Sequence, residues 1–266
     1  MSKITVLEIQ KMKEQGKKIP VLTAYGFSMA GILDAAGVPV FIVGDSAGMV
    51  EAGHATTLPV TLDEMIYHTR AVARASRRAI VVADLPFGSY QASVEDACRS
   101  AIRLVKEGGA EAVKLEGGTH SAKAIRAIVA MDIPVMAHIG LTPQSVHRMG
   151  GFKVQGRSEA EAEVLIEDAR AVEEAGAFSV VLEGIPAGLA ARITSMVKIP
   201  TIGIGAGPRC DGQVLVVNDM LNLSVDGKGP RFVKKYADLK KVITGAAKAY
   251  IKDVEHGRFP TKKHSY

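Results

Sequence analysis

Lys106-Glu-Gly-Gly109-Ala-Glu-Ala112-Val-Lys114-Leu-Glu116 carries the fold in miniature. A helical pattern ends, two glycines follow, and the chain passes directly into a short apolar run that finishes on charged residues. Glycine just beyond a helix adopts the left-handed conformation without steric cost and so ends the helix. The same exit recurs at Asp34-Ala-Ala-Gly37-Val and Glu173-Glu-Ala-Gly176-Ala, again with a strand-like run directly after. Repeated helix-to-strand turns mark a βα array.

Reading outward for β-rich runs bounded by turn residues predicts strands at Pro20–Ala24, Val38–Val43, Ala79–Ala83, Ala112–Glu116, Ile133–His138, Phe178–Glu183, Pro200–Ile204 and Val214–Val217. Helix starts are legible between them: Thr61 with Glu64 and Ser158 with Glu161 have capping-box spacing, and Ser93 precedes an acidic first turn at Glu95 and Asp96. Eight strands alternating with helices predict an α/β protein, a closed (β/α)8 TIM barrel, with an extra helix over Thr5–Gln15 placed to plug the barrel bottom. An open doubly wound sheet is the alternative, but no Gly-x-Gly-x-x-Gly opens the first helix. No linker or low-complexity segment interrupts the chain, so a single barrel domain over residues 1–266 is expected. The long glycine-rich stretches Gly44–Pro59 and Gly140–Gly156 follow strands and are candidate lids on the active-site face.

Composition narrows the function classes. With 47% hydrophobic and 23% charged residues, the chain has the make-up of an ordinary folded domain. Net charge is only +5, aromatics are 5% and tryptophan is absent, which argues against a nucleic-acid binder. Basic residues cluster only near the C-terminus, at Arg231 to Lys235, Lys240 to Lys241 and Lys262 to Lys263, and read first as a solvated helix face. The two cysteines, Cys98 and Cys210, have no metal-ligand spacing and are expected to be free thiols. No apolar block of signal-peptide or membrane-spanning type is present, so a cytoplasmic location without membrane association is expected.

Polar residues of one chemical kind fall where the predicted strands end. In Ala112-Val-Lys-Leu-Glu116 the alternation that packs Val113 and Leu115 against helices sends Lys114 and Glu116 together into the barrel mouth. A structural ion pair is the plain alternative for those two. Asp45 follows the second strand and Asp84 the third. Two strand-end carboxylates supply hard oxygen ligands suited to a partly hydrated Mg²⁺ completed by substrate oxygens, whereas either Asp alone would read as a cap or turn residue. Glu183 ends its strand with no basic neighbour in sequence, as a general base in an apolar mouth would, or as half of a salt bridge to a distant residue. His138 ends the fifth strand and reads equally as a substrate contact or a satisfied core histidine. Gly203-Ile-Gly-Ala-Gly207 fits a phosphate loop or a tightly packed turn, and His54, Thr56 and Thr57 fall in the first long loop.

Several segments together resemble one enzyme family: Gly44-Asp-Ser-Ala-Gly-Met-Val50, Gly53-His-Ala-Thr-Thr-Leu-Pro-Val-Thr61, Ala83-Asp-Leu-Pro-Phe87, Val113-Lys-Leu-Glu-Gly-Gly118 and His138-Ile-Gly-Leu-Thr-Pro-Gln144. Gly150-Gly-Phe-Lys-Val-Gln-Gly156 and Ile202-Gly-Ile-Gly-Ala-Gly207 agree. The family is 3-methyl-2-oxobutanoate (ketopantoate) hydroxymethyltransferase. The resemblance implies a Mg²⁺-dependent barrel that transfers a one-carbon unit from 5,10-methylenetetrahydrofolate, the co-substrate, to 3-methyl-2-oxobutanoate, giving 2-dehydropantoate. It implies Asp45 and Asp84 as metal-binding carboxylates with Glu116 in or near the metal shell, and Asp45, Ser46, Asp84 and Lys114 as contacts of the keto acid. His138 is assigned to substrate as well, and Glu183 matches the proton acceptor. A homodecamer is also implied. Gly26 stands where Asp is expected in many relatives, and Asn218 where His is common, which bears on the pocket rim or subunit contacts. Competing readings are a Mg²⁺-dependent lyase or mutase of the isocitrate lyase and phosphoenolpyruvate mutase group, whose catalytic Cys motif is missing here, and a catalytically silent anion-binding barrel.

Overall fold

Eight parallel strands close on themselves in sequence order: β1 (Ile19–Thr23), β2 (Val40–Val43), β3 (Ile80–Asp84), β4 (Ala112–Glu116), β5 (Val135–Gly140), β6 (Ser179–Glu183), β7 (Thr201–Ile204) and β8 (Gly212–Leu215), with β8 pairing back to β1. The computed structural model describes residues 2–224 and 229–266. These form two compact units, Met1–Val216, which contains the whole barrel, and Val217–Tyr266. The (β/α)8 architecture expected from the strand and helix signals is therefore present, and it lies in the first unit.

Helices α1 (Val6–Glu14) and α2 (Phe27–Ala35) flank β1; α3 (Ala47–Val50) and α4 (Leu62–Ala75) follow β2; and α5 (Val94–Lys106) and α6 (Ala122–Val129) follow β3 and β4. The short α7 (Val146–Met149) and long α8 (Glu159–Glu174) follow β5, and α9 (Ala187–Met196) follows β6. The anticipated caps are made: Thr61 and Ser158 head capping boxes with Glu64 and Glu161, and Ser93 accepts a hydrogen bond from the Asp96 amide. Each such cap contributes about 1 kcal/mol to its helix. Gly37, Gly109 and Gly176 all have positive φ, at 92°, 77° and 95°, as the three look-alike helix exits require.

The bounds of β5 and β8 depart furthest from expectation, each by two residues at both ends. β5 runs on to Gly140 because Ile139 and Gly140 pair with Leu182 and Glu183. β8 begins at Gly212, where only a missing side chain lets the backbone lie against Ile19, and it stops at Leu215.

Side-chain alternation decides what the barrel encloses. Val40 and Ile42, Ile80 and Val82, Ala112, Met136, Val181, Ile202 and Val214 belong to one buried cluster. Continuing those rows by two residues reaches Asp84, Lys114, His138 and Glu183 at the carboxyl ends of their strands. The same period of two that fills the interior with Val and Ile thus delivers charged groups to the mouth. At the opposite end α1 closes the floor: Ile9 is fully buried in the same cluster, with Ile4, Val6 and Met12 packed against it. Lys13 fastens this helix by donating to the carbonyls of Thr194, Val197 and Ile199 and pairing with Asp211 at 2.9 Å.

In the second unit, α10 (Val217–Met220) precedes α11 (Leu239–Glu255), which is capped by Asp238 and buries none of its residues within the chain. Lys240 and Lys241 lie on this exposed helix, as the basic cluster suggested. Among the described residues no helix is long and apolar enough to cross a membrane.

Candidate active site

Five of the predicted site residues are almost wholly buried side by side: Asp45 (4% exposed), Asp84 (3%), Lys114 (6%), Glu116 (4%) and His138 (3%). Lys114 Nζ lies 2.8 Å from Asp84 Oδ1, so the alternative of a structural pair within β4 is replaced by a pair between β3 and β4. Asp84 Oδ2 accepts the Asp45 amide at 3.2 Å, which joins the two aspartates through the turn after β2. Gly44 makes that turn possible, because a Cβ there would sit 2.8 Å from Ser46 Oγ and 3.5 Å from Asp84 Oδ2. Ser46 itself is half-buried, its hydroxyl 2.8 Å from the buried phenol of Tyr25.

A second row runs from β4 to β6. His138 Nδ1 lies 3.5 Å from Glu116 Oε1 and its Nε2 3.2 Å from Glu183 Oε2. Neither contact has hydrogen-bond geometry, so both ring nitrogens are buried without a conventional partner. Glu183 is the most open of the set, its side chain 16% exposed. Gly140 crosses close behind it: at φ 94° its backbone abuts the Glu183 carbonyl, where any Cβ would collide.

Electrostatics follow from burial. Asp45 is pushed up to about 7, by burial first and then by the neighbouring Asp84 carboxylate. Burial, with Asp45 next in importance, lifts Glu116 well above the ordinary carboxylate range. Burial alone would lower Lys114, but Asp84, Glu116 and Asp45 together hold its ammonium above the usual lysine range. Burial pushes the His138 imidazole down, toward its neutral form. Three buried carboxylates against one lysine leave an excess of negative charge that water does not reach, and such an excess is relieved by protons or by a cation.

A divalent cation fits that donor set. Asp45 and Asp84 are adjacent hard-oxygen donors, and Asp45 ionises reluctantly without a further positive charge. Among the described residues no group of three or more His, Cys, Asp or Glu side chains forms a ready-made metal cluster. Two carboxylates plus water and substrate oxygens match the way Mg²⁺ is commonly held. Glu116 is engaged otherwise: its Oε2 accepts the Gln144 amide at 3.0 Å and its Oε1 faces His138.

Three residues at the site carry no signal by type alone. Gln144, Tyr90 and Tyr25 are buried and bonded into it, with Tyr90 OH accepting the Glu116 amide at 3.1 Å and lying 2.8 Å from Gln144 Oε1. Gln144 ended one of the segments that carry the family resemblance, but nothing in sequence indicates that its amide reaches Asp45, 99 residues away. In Gly203-Ile-Gly-Ala-Gly207, Gly203 packs on Cys210 and Gly207 on Ala187, the tight-turn alternative. Cys98 and Cys210 are free, as expected. In the first long loop, Thr57 is buried and its hydroxyl faces the Asp45 carboxylate, helping to stabilise its charged form, though without full hydrogen-bond geometry. Gly26 is the N-cap of α2 and offers no side-chain cap.

Buried carboxylates, a lysine and an imidazole gathered at the carboxyl ends of the strands define a (β/α)8-barrel enzyme. The chain belongs to the ketopantoate hydroxymethyltransferase family, whose model matches residues 3–262. A relative from Geobacter sulfurreducens named 3-methyl-2-oxobutanoate hydroxymethyltransferase is 61% identical over 262 residues, 98% of either chain. A relative of the same name from Geobacter metallireducens is 60% identical over 264 residues, 99% of this chain and 98% of its own. Among solved structures, 2,3-dimethylmalate lyase, a PEP mutase/isocitrate lyase superfamily member, has a TM-score of 0.61 over 98% of this chain and 91% of its own at 17% identity, a likeness of fold. The chain therefore shares its barrel with the lyase and mutase group and its sequence with the hydroxymethyltransferases.

Proposed function

We propose that the barrel mouth transfers a hydroxymethyl group from 5,10-methylenetetrahydrofolate to 3-methyl-2-oxobutanoate, giving 2-dehydropantoate and tetrahydrofolate, with Mg²⁺ held by Asp45 and Asp84. The observation that carries this reading is the pairing of a buried, cation-deficient Asp45–Asp84–Lys114 cluster with a more open carboxylate, Glu183, on the far side of His138. Bound Mg²⁺ would act as a Lewis acid on the carboxylate and keto oxygens of the 2-oxo acid and so acidify its C3–H bond.

Glu183 takes the C3 proton. Its exposure leaves it able to reach substrate, with the His138 imidazole 3.2 Å away. The electron pair released from C3–H passes into the enolate, whose developing oxygen charge faces the ammonium of Lys114, kept protonated by the surrounding carboxylates. The Ser46 hydroxyl, 2.8 Å from that of Tyr25, binds the keto acid in this reading, as the family resemblance implies. C3 then attacks the methylene carbon: a carbon–carbon bond forms, both bonds from that carbon to the folate nitrogens break, water supplies the hydroxyl oxygen and one proton, and the proton taken up by Glu183 goes to the second nitrogen, so that both leave as N–H. Glu116 supports the cluster through Gln144 and His138 and lies next to the metal-binding pair.

The resemblance to the family further supports a homodecamer in the cytoplasm. Leu7, Phe27, Ile32 and Tyr67, 59–70% exposed, supply apolar surface for such association. Light scattering in solution gives its mass directly.

The reaction is tested by proton NMR of the purified protein with 3-methyl-2-oxobutanoate in D₂O. Mg²⁺-dependent exchange at C3, followed by 2-dehydropantoate on adding the folate, is expected. Exchange without product would keep the enolate step and reject the donor; absence of exchange in folded, Mg²⁺-replete protein would reject the substrate.

A further inference from the structure

Gln144 has every hydrogen-bonding valence of its side-chain amide occupied. Its Nε2 donates to Asp45 Oδ2 and to the Leu85 carbonyl, both at 2.9 Å. Its Oε1 accepts from Gln91 Nε2 at 2.9 Å and lies 2.8 Å from Tyr90 OH. Two donors on one side and two acceptors on the other leave a single workable orientation of the amide, with the NH₂ group toward Asp45. Gln91 is oriented in turn, because its Oε1 accepts the Gly88 amide at 2.7 Å. The Gln144 backbone N–H meanwhile holds Glu116. One residue of the loop after β5 therefore ties together the loops after β2 and β3 and the end of β4.

We infer that Gln144 is a positioning residue for the cation: its amide fixes Oδ2 of Asp45 and leaves Oδ1 as the oxygen that Asp45 presents to the metal. A carboxylate free to rotate would offer either oxygen or both, at an entropic cost on every binding event. One held by a charge-assisted hydrogen bond is already in place. This rests on the reading of Asp45 as a Mg²⁺ ligand.

The test is calorimetric titration of MgCl₂ into chelator-treated full-length protein, wild type and variants, with and without 3-methyl-2-oxobutanoate. Gln144→Met keeps bulk and removes all four side-chain bonds, and Gln144→Leu removes them with a branched apolar side chain; neither adds charge. Mg²⁺ dissociation constants about 10–100-fold higher are expected for both, the range found when a group that orients a ligand is removed. At saturating Mg²⁺ the rate of C3 exchange recovers to near wild type, a split between apparent metal affinity and kcat that general loosening of the fold would not give. Gln91→Met, at an exposed position that supplies one donor to Oε1, gives a smaller shift in the same direction and decides the matter if the Gln144 variants do not fold. Wild type that binds Mg²⁺ beside folded variants that bind it equally well would overturn the role of Gln144. Wild type that binds no Mg²⁺ would overturn the metal reading and this inference with it.

Discussion

Asp45→Asn should make the metal-free protein more stable at pH 8 while abolishing its proposed activity. Asp45 is buried, and its carboxyl is shifted from an ordinary 3.8 to about 7. Between those values the folded protein holds a proton that the unfolded chain has released, so stability falls as pH rises through that window. At about 1.4 kcal/mol per pKa unit the ionised side chain costs the fold roughly 4 kcal/mol at pH 8. Asparagine removes the charge and keeps an oxygen for the Gln144 amide, the contact made at 2.9 Å by Asp45 Oδ2. Scanning calorimetry in EDTA should show the variant melting roughly 8–16 °C above wild type at pH 8, taking about 2–4 °C per kcal/mol for a chain of this size. The gap should close toward pH 3, below the ordinary carboxyl value, where wild type is largely protonated in both states. Excess Mg²⁺ should raise wild type by about 2.7 kcal/mol at a hundredfold over its dissociation constant, and the variant by much less. A variant no more stable than wild type at pH 8, or a gap that ignores pH, would refute the reasoning.

Other outcomes follow from the same geometry. Glu183→Gln should abolish deuterium exchange at C3 and leave Mg²⁺-dependent keto-acid binding intact by calorimetry; unchanged exchange would remove Glu183 from its role. Lys114→Met leaves Asp84 without its partner at 2.8 Å and three carboxylates buried together, so chemical denaturation of the metal-free protein at pH 8 should show a loss of about 3–5 kcal/mol. A loss below about 1 kcal/mol would mean that the pair is solvated. Gly140→Ala forces a side chain onto a residue at φ 94° and against the Glu183 carbonyl; a stability loss of about 1–3 kcal/mol is expected, with the exchange rate falling more than keto-acid affinity. Equal thermal midpoints and equal exchange rates would show that the backbone there yields freely.

The barrel was readable because its signals are local. A glycine after a helix, a Thr or Ser three residues before Glu, and runs of Val and Ile each report on a handful of neighbours, and all eight strands fall where such signals lie. The charged ends of β3, β4, β5 and β6 were readable for the same reason, since alternation within one strand assigns Asp84, Lys114, His138 and Glu183 a face. What alternation does not give is partnership across the barrel. Lys114 pairs with Asp84 on the neighbouring strand, and His138 lies between two glutamates from β4 and β6. Gln144 and Tyr90 were silent because a neutral amide or phenol looks alike in a loop and in a site until the closed barrel brings it to its partner. The end of β5 was misplaced by two residues because Gly140 reads as a turn, whereas it is the ladder partner of Glu183.

The α1 stopper also governs traffic. With Ile9 filling the floor and Lys13 bolting that helix to three carbonyls, the described residues close the amino end of the barrel and leave entry to the carboxyl ends of its strands. Two co-substrates that share a doorway cannot pass each other, so on the proposed reaction the one lodged deeper must arrive first and depart last. Product-inhibition patterns would then be those of an ordered queue, imposed by a nine-residue helix at the opposite end of the barrel.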